Sequence, residues 1–136
     1  MIRIVVDGPP VGKGRPRFVR ATGHAFTPAK TANYEAILAA RGMEAMVGPG
    51  WCKPLEGPLA LQVTAYMPIP RSWSQKKQSA ALRGELRPGK PDLDNILKTL
   101  DALNGIVWRD DAQIATANVS KRYDRRPRLE IAVELA

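Results

Sequence analysis

Apolar and polar positions along this chain follow first a two-residue rhythm, then a helical one, and switch several times. Ile2, Ile4 and Val6 alternate with Arg3 and Asp7, which predicts a half-buried strand over residues 1–7. Gly8 to Arg20 shows no hydrophobic period and is rich in glycine, proline and basic residues, so it reads as a loop. Thr27 is placed to cap the next helix, with Pro28 at the first helical position. Tyr34, Ile37, Leu38 and Arg41 then recur at helical spacing, and the pattern fades near Gly48. Prolines and glycines from 48 to 58 mark a connection. The cleanest strand follows, with Leu59, Leu61, Val63, Ala65 and Met67 on one face and Gln62, Thr64 and Tyr66 on the other.

Pro68 to Lys90 is a basic insertion in which Ser72 and Gln75 have capping-box spacing, predicting a short helix to about Leu82. Pro88, Gly89 and Pro91 interrupt it. From Asp92 an apolar stripe of Leu93, Ile96, Leu97, Leu100 and Leu103 predicts a second main helix, ended by Asn104-Gly105. A strand from about Gln113 to Tyr123, a turn over Asp124 to Pro127 and a strand from Arg128 to Leu135 predict a terminal hairpin. Leu129, Ile131, Val133 and Leu135 would point inward. The expected fold is a single α/β (α+β) domain over 1–136, with one mixed sheet of roughly four strands and two main helices, in the order β-α-β-(short α)-α-β-β. A chain of 136 residues with 44% hydrophobic content has room for one core and not for two.

Charge adds a partner to this picture. Lys and Arg number 21 against 13 Asp and Glu, a net charge of +8, which points to a polyanion and first of all to nucleic acid. Cys52 is the only cysteine and His24 the only histidine, so disulfides, multi-thiolate zinc sites and His-based nucleophile pairs are excluded or starved. Any metal here sits among oxygen ligands. No segment approaches a membrane span and the apolar start is too short for a signal peptide, so the cytosol is expected. Gly8-Pro-Pro-Val-Gly-Lys-Gly14 is one residue short of a phosphate-binding loop and has Gly14 where Ser or Thr is required, so no nucleotide cofactor is expected.

The acidic residues are few and clustered. On the helix starting at Asp92, Asp94, Lys98 and Asp101 share the face opposite the leucine stripe. Alone, this is a capped helix with a surface ion pair. A second acidic pair, Asp110-Asp111, arrives after Trp108 in a chain that is otherwise basic. A phosphate-binding protein that gathers carboxylates needs a cation between the two negative charges, and Mg²⁺, with Mn²⁺ as substitute, suits oxygen donors. Lys98 is then placed to neutralise developing charge or to position the attacking water. Lys13, Arg15, Arg17 and Arg20 are candidate phosphate contacts in the glycine-rich loop. Arg71, Lys76, Lys77, Arg83, Arg87 and Lys90 form a second basic patch, and Lys121, Arg122, Arg125, Arg126 and Arg128 a third. Trp73 has two readings: stacking on an unpaired base, or packing down to anchor the short helix. Trp51, Trp108 and Tyr34 read as core or interface residues, Cys52 as structural and His24 as a loop residue.

Lys90-Pro-Asp-Leu-Asp-Asn-Ile-Leu-Lys98, Asp101-Ala-Leu-Asn-Gly105 and Trp108-Arg-Asp-Asp-Ala-Gln113 together resemble the signature of the RusA-type Holliday junction resolvases. Gly12-Lys-Gly-Arg-Pro-Arg17 with Thr27-Pro28, and Met67-Pro-Ile-Pro-Arg-Ser-Trp-Ser74, are similar to further segments of that family. The resemblance implies a homodimer that binds four-way DNA junctions and nicks two strands symmetrically by Mg²⁺- or Mn²⁺-dependent phosphodiester hydrolysis. It places the catalytic and metal-binding carboxylates on Asp92, Asp94 and Asp111 and the essential lysine on Lys98, and leaves Asp110 without a role. It further implies a bacterial or prophage setting, in recombination or repair. Two other readings stand beside it: a junction-binding protein without catalysis, and a nuclease for flaps, forks or other branched DNA.

Overall fold

The computed structural model describes residues 1–15, 17–47 and 53–136, and Arg17 by its backbone alone. The elements run β1 (Ile2–Asp7), β2 (Arg17–Val19), β3 (His24–Phe26), α1 (Ala29–Met46), β4 (Leu59–Pro68), α2 (Gln75–Leu82), α3 (Leu93–Lys98), β5 (Ile114–Asp124) and β6 (Arg128–Leu135), with 3₁₀ turns at Thr99–Leu103 and Asp111–Gln113. The expected mixed α+β sheet is present: four strands in the order β1-β6-β4-β5, antiparallel except for the parallel β4–β5 pair.

β4 is central because its alternation is complete. Leu59, Leu61, Val63, Ala65 and Met67 are all buried, in one layer with Ile4 and Val6 of β1 and Leu129, Ile131 and Val133 of β6. α1 covers that layer with a stripe of Thr31, Tyr34, Leu38, Gly42 and Met46, joined by Ile96, Leu100, Leu103, Val107 and Trp108. Burying each large aliphatic side chain contributes roughly 1.5–3 kcal/mol, so this layer dominates stability. Gly42 lets α1 approach closely: a Cβ there would lie 2.6 Å from Leu103 Cδ2. On the opposite face of the sheet, the Arg128 guanidinium lies 3.7 Å from the centre of the Tyr66 ring and donates to Asp124 Oδ2 at 2.6 Å.

Several expectations need correction. The last two strands do not form a hairpin, because β4 lies between β5 and β6 and pairs with both. Arg125 to Pro127 carry the chain past the end of β4 at Pro68, which has no N–H to extend the ladder; two strand spacings are only about 10 Å. The loop over 8–20 contains β2, which pairs with β3 in a small separate hairpin. Three-residue strands exposed on both faces leave no alternation to read. Pro28 rather than Thr27 is the N-cap of α1, and Ser74 rather than Ser72 caps α2, its Oγ accepting from the Lys77 N–H at 3.2 Å. The helix expected from Asp92 to Leu103 is α only to Lys98. There Thr99 Oγ1 donates to the Ile96 carbonyl at 2.6 Å and the chain tightens into a 3₁₀ turn.

Leu135, expected inward, is 67% exposed, and Ile37, part of the helical spacing, is 48% exposed. Trp73 packs: its ring meets Tyr123 edge-on at 5.4 Å, with Lys77 Nζ 4.2 Å above it, anchoring α2 against β5. Trp108 and Tyr34 are core residues, whereas Trp51 and Cys52 lie outside the described residues. No described helix is long and apolar enough to cross a membrane.

Candidate active site

Asp92 sits at the N-cap position of α3 in extended conformation, but its side chain makes no capping hydrogen bond, which leaves the carboxylate facing solvent. Asp94 follows in the first turn and Lys98 in the last, their charged atoms 3.8 Å apart on the exposed side. Buried Ile96 pins the other side of this short helix to the core. The glycine-rich loop closes over α3. The Lys13 N–H donates to the Asn95 carbonyl at 2.8 Å, and the Gly14 N–H donates to Thr31 Oγ1 at 3.0 Å. Gly12 is required by contact: a Cβ there would lie 2.7 Å from Pro91 Cβ and 3.2 Å from Asn95 Cβ. Loop and helix enclose a cleft of about 710 Å³ lined by Lys13, Gly14, Arg15, Asp92, Asp94, Asn95, Lys98 and Asp101. A neighbouring depression of about 780 Å³ shares Asp92, Lys13 and Arg15 and adds Lys30 and Lys90.

Asp111 enters from the return segment. A smaller depression of about 360 Å³ brings it together with Asp94, Lys98 and Asp101 over an apolar floor that includes Leu97 and Ile114. The segment is tightly held. Asp110 accepts from the Ala112 N–H at 3.0 Å, while Gln113 Oε1 accepts from the N–H groups of Arg109 and Asp110 and its Nε2 donates to the carbonyls of Leu55 and Gly57. Asp110 therefore caps the turn that presents Asp111. The Ala112 N–H and the Asp111 side chain hold the Asp110 carboxyl below the usual range. Its partner Asp111 is pushed up, first by the hydrogen bond with Asp110, then by desolvation and by the negative charges of Asp110 and Asp101.

Asp92, Asp94 and Lys98 thus share one cleft, and Asp94, Lys98 and Asp111 share the adjoining one. Among the described residues no three acidic, histidine or cysteine side chains form a ready-made metal cage. Lys13 and Arg15 line the cleft, Lys90 lies in the neighbouring depression, and Arg20 is exposed on the β2–β3 hairpin. Lys76 and Lys77 are exposed on α2, away from these linings, and the Arg17 side chain lies outside what is described. Two members of the third basic zone are engaged internally. Lys121 Nζ donates to the carbonyls of Gly89 at 2.5 Å and Pro91 at 3.1 Å, and Arg128 is tied to Asp124 and Glu130.

Sequence reasoning did not select Asp101, Lys30, Gln113 or the bracing role of Lys121. Asp101 was visible as a face-mate of Asp94, and Gln113 through the Asp-x-x-Gln capping-box spacing. The structure adds that Lys13 Nζ bridges Asp101 and Glu35 at 3.5 and 3.4 Å. Nothing in the sequence pairs Lys121 with Gly89 and Pro91.

A family model for endodeoxyribonuclease RusA matches residues 7–134, a span holding the glycine loop and both acidic segments. The chain belongs to the RusA family. It is also similar to the uncharacterized protein YqaN of Bacillus subtilis (strain 168), with 37% identity over 141 residues, covering 97% of this chain and 94% of that protein. Membership places the chain in an endodeoxyribonuclease family, and the clefts around α3 set acidic and basic side chains next to one another.

Proposed function

We propose that this RusA-family protein resolves four-way DNA junctions by paired, symmetric, Mg²⁺-dependent nicks. The observation that carries the reading is the cleft between the glycine loop and α3, where Asp92, Asp94 and Asp101 face Lys13, Arg15 and Lys98. The donor set of carboxylate and amide oxygens fits Mg²⁺ or Mn²⁺, which bind through one or two carboxylates while keeping several waters, so a closed cage is not required. Asp94, with Asp92 in one cleft and Asp111 in the adjoining one, would hold the metal, and a cation bound there would supply Lewis acidity and charge neutralisation at a phosphate.

The chain's own residues do the positioning. Lys13 and Arg15 attract the phosphodiester backbone electrostatically, and Gly12 and Gly14 let the loop that carries them pack against Pro91 and Asn95 on one side and Pro28 and Thr31 on the other. Lys98, exposed beside Asp94, neutralises charge as the leaving oxygen develops. Two strands cut symmetrically need two such clefts, so the active form is a homodimer. A role in recombination or repair fits that substrate, and a bacterial or prophage setting is what the family resemblance implies.

The test is cleavage of a labelled four-way junction beside a matched linear duplex, with Mg²⁺ or with EDTA. Paired nicks on the junction alone, and only with metal, are expected. Metal-dependent cutting of flaps or forks in preference would replace the substrate, and tight binding with no cutting in Mg²⁺ or Mn²⁺ would replace the activity.

Lys121 gives a second expectation. Its ammonium braces the two carbonyls that precede Asp92, so Lys121→Met should slow single-turnover cleavage by about 10- to 100-fold. Junction affinity should change less than about threefold, since the ammonium is engaged by the chain's own carbonyls. Equal losses in binding and cleavage would instead make Lys121 a phosphate contact.

A further inference from the structure

The β2–β3 hairpin carries aromatic surface that the fold does not use. Every described side chain from Phe18 to Thr27 is exposed; Phe18 is 66% and Phe26 47% exposed. Neither ring belongs to the core or packs against it. Directly opposed residues share a face, so Phe18 lies beside Ala25 on one side of the ribbon, while Val19 and His24 lie on the other with Phe26. Ala25 is too small to cover the Phe18 ring, which stands open, with exposed Arg20 in the turn two residues on.

The electrostatic setting selects the partner. No Asp or Glu occurs between Asp7 and Glu35, while Lys13, Arg15, Arg17, Arg20 and Lys30 fall in that interval. An aromatic platform in a purely cationic stretch suits nucleic acid, whose bases stack on the ring while the phosphates meet the cations. The arm is also tied to the acidic cleft. Lys13, whose N–H is bonded to the Asn95 carbonyl, is five residues before Phe18. Five residues span at most about 18 Å, or roughly five base steps at 3.4 Å.

We propose that the β2–β3 hairpin is a DNA-opening arm, in which Phe18 stacks on an unpaired base of branched DNA a few nucleotides from the phosphate held in the acidic cleft. The proposal rests on the nuclease reading above and adds to it a device for choosing branched over continuous duplex. In a linear duplex every base is already stacked and the ring finds no partner. At a branch point the cost of unstacking is lower, and the ring replaces the lost neighbour.

The test uses the whole protein and a four-way junction carrying 2-aminopurine at the branch point, read in EDTA so that nothing is cut. Wild type should raise the fluorescence on binding. Phe18→Ala should lose most of that rise and weaken junction affinity about tenfold, with a melting temperature close to wild type, because the side chain is exposed. Phe18→Trp should keep the rise. In Mg²⁺, Phe18→Ala should cut the intact junction at least tenfold more slowly, yet cut a junction with two unpaired nucleotides at its centre within about threefold of wild type. A full fluorescence rise with Phe18→Ala overturns the proposal. So does a change in sedimentation of the DNA-free variant, which would assign the ring to contact with a second copy of the chain. Wild type that opens the junction but never cuts it removes the nuclease reading and keeps the arm; wild type that cuts with no rise removes the arm alone.

Discussion

Asp94→Asn should reduce metal-dependent cleavage of branched DNA by about 10³-fold or more, while junction binding stays equal or tightens. Asp94 borders both the cleft with Asp92 and the depression with Asp111. Asp101 borders both as well, but Lys13 already engages it. The partner of Asp94 is Lys98, 3.8 Å away, with both side chains well exposed, a pairing that contributes little to stability. Its carboxylate is therefore available to a cation in a way that the carboxylate of Asp101 is not. Asparagine keeps the shape and removes the charge. On so exposed a side chain the fold should change by less than about 0.5 kcal/mol, so lost activity reports chemistry rather than unfolding. Binding should improve because a negative charge leaves the path of the phosphates. Single-turnover cleavage and a gel-shift titration at fixed salt check both halves. Full activity in this variant would move the chemistry away from α3.

How far the sequence foretold this arrangement depended on where each force acts. β4 and β6 were legible nearly to the residue because one face of each is buried, and burial imposes alternation. The acidic segment at Asp92 to Lys98 was legible because a strong apolar stripe fixed its exposed side. Strand pairing was another matter. β5 and β6 are consecutive and turn-linked, which favours a hairpin locally. The sheet instead inserts β4 between them, where its alternating face is covered on both flanks. The β2–β3 hairpin was invisible because it buries nothing, and periodicity records only burial. In the site, the neighbourhood of Asp94, Lys98 and Asp101 follows from helix geometry and the choice of Asp92 from the family resemblance, whereas the approach of Asp111 to Asp94 and Asp101 depends on how the return segment folds back. Lys121 was grouped with other cations by charge alone. Its bond to the carbonyls before Asp92 joins residues about thirty positions apart, which no local pattern encodes.

Trp108→Ala should destabilise the protein by about 3–5 kcal/mol, about a third or more of the stability of a domain near 10 kcal/mol, where roughly 5–15 kcal/mol is the usual order. The indole is fully buried, and its Nε1–H donates to Asn104 Oδ1 at 2.6 Å. Its backbone is used as well: the carbonyl accepts from the Gly105 N–H, and Trp108 bridges to Leu55 and Asn104. Truncation removes the largest fully buried side chain among the described residues, at the point where the chain returns from Asp101 to Asp111. Trp108→Phe separates packing from hydrogen bonding. It keeps most of the buried ring and leaves Asn104 Oδ1 to solvent, since Asn104 is exposed, so a loss of about 1–2 kcal/mol is expected. Urea midpoints at constant slope measure both. The phenylalanine variant should still fold and bind junction, yet cut more slowly, because Asp111 is aimed by the segment that Trp108 anchors. An alanine variant as stable as wild type would show that the return segment is held by Gln113 and its carbonyl partners instead. Asp111 would then be positioned by hydrogen bonds at the surface rather than by the core beneath it.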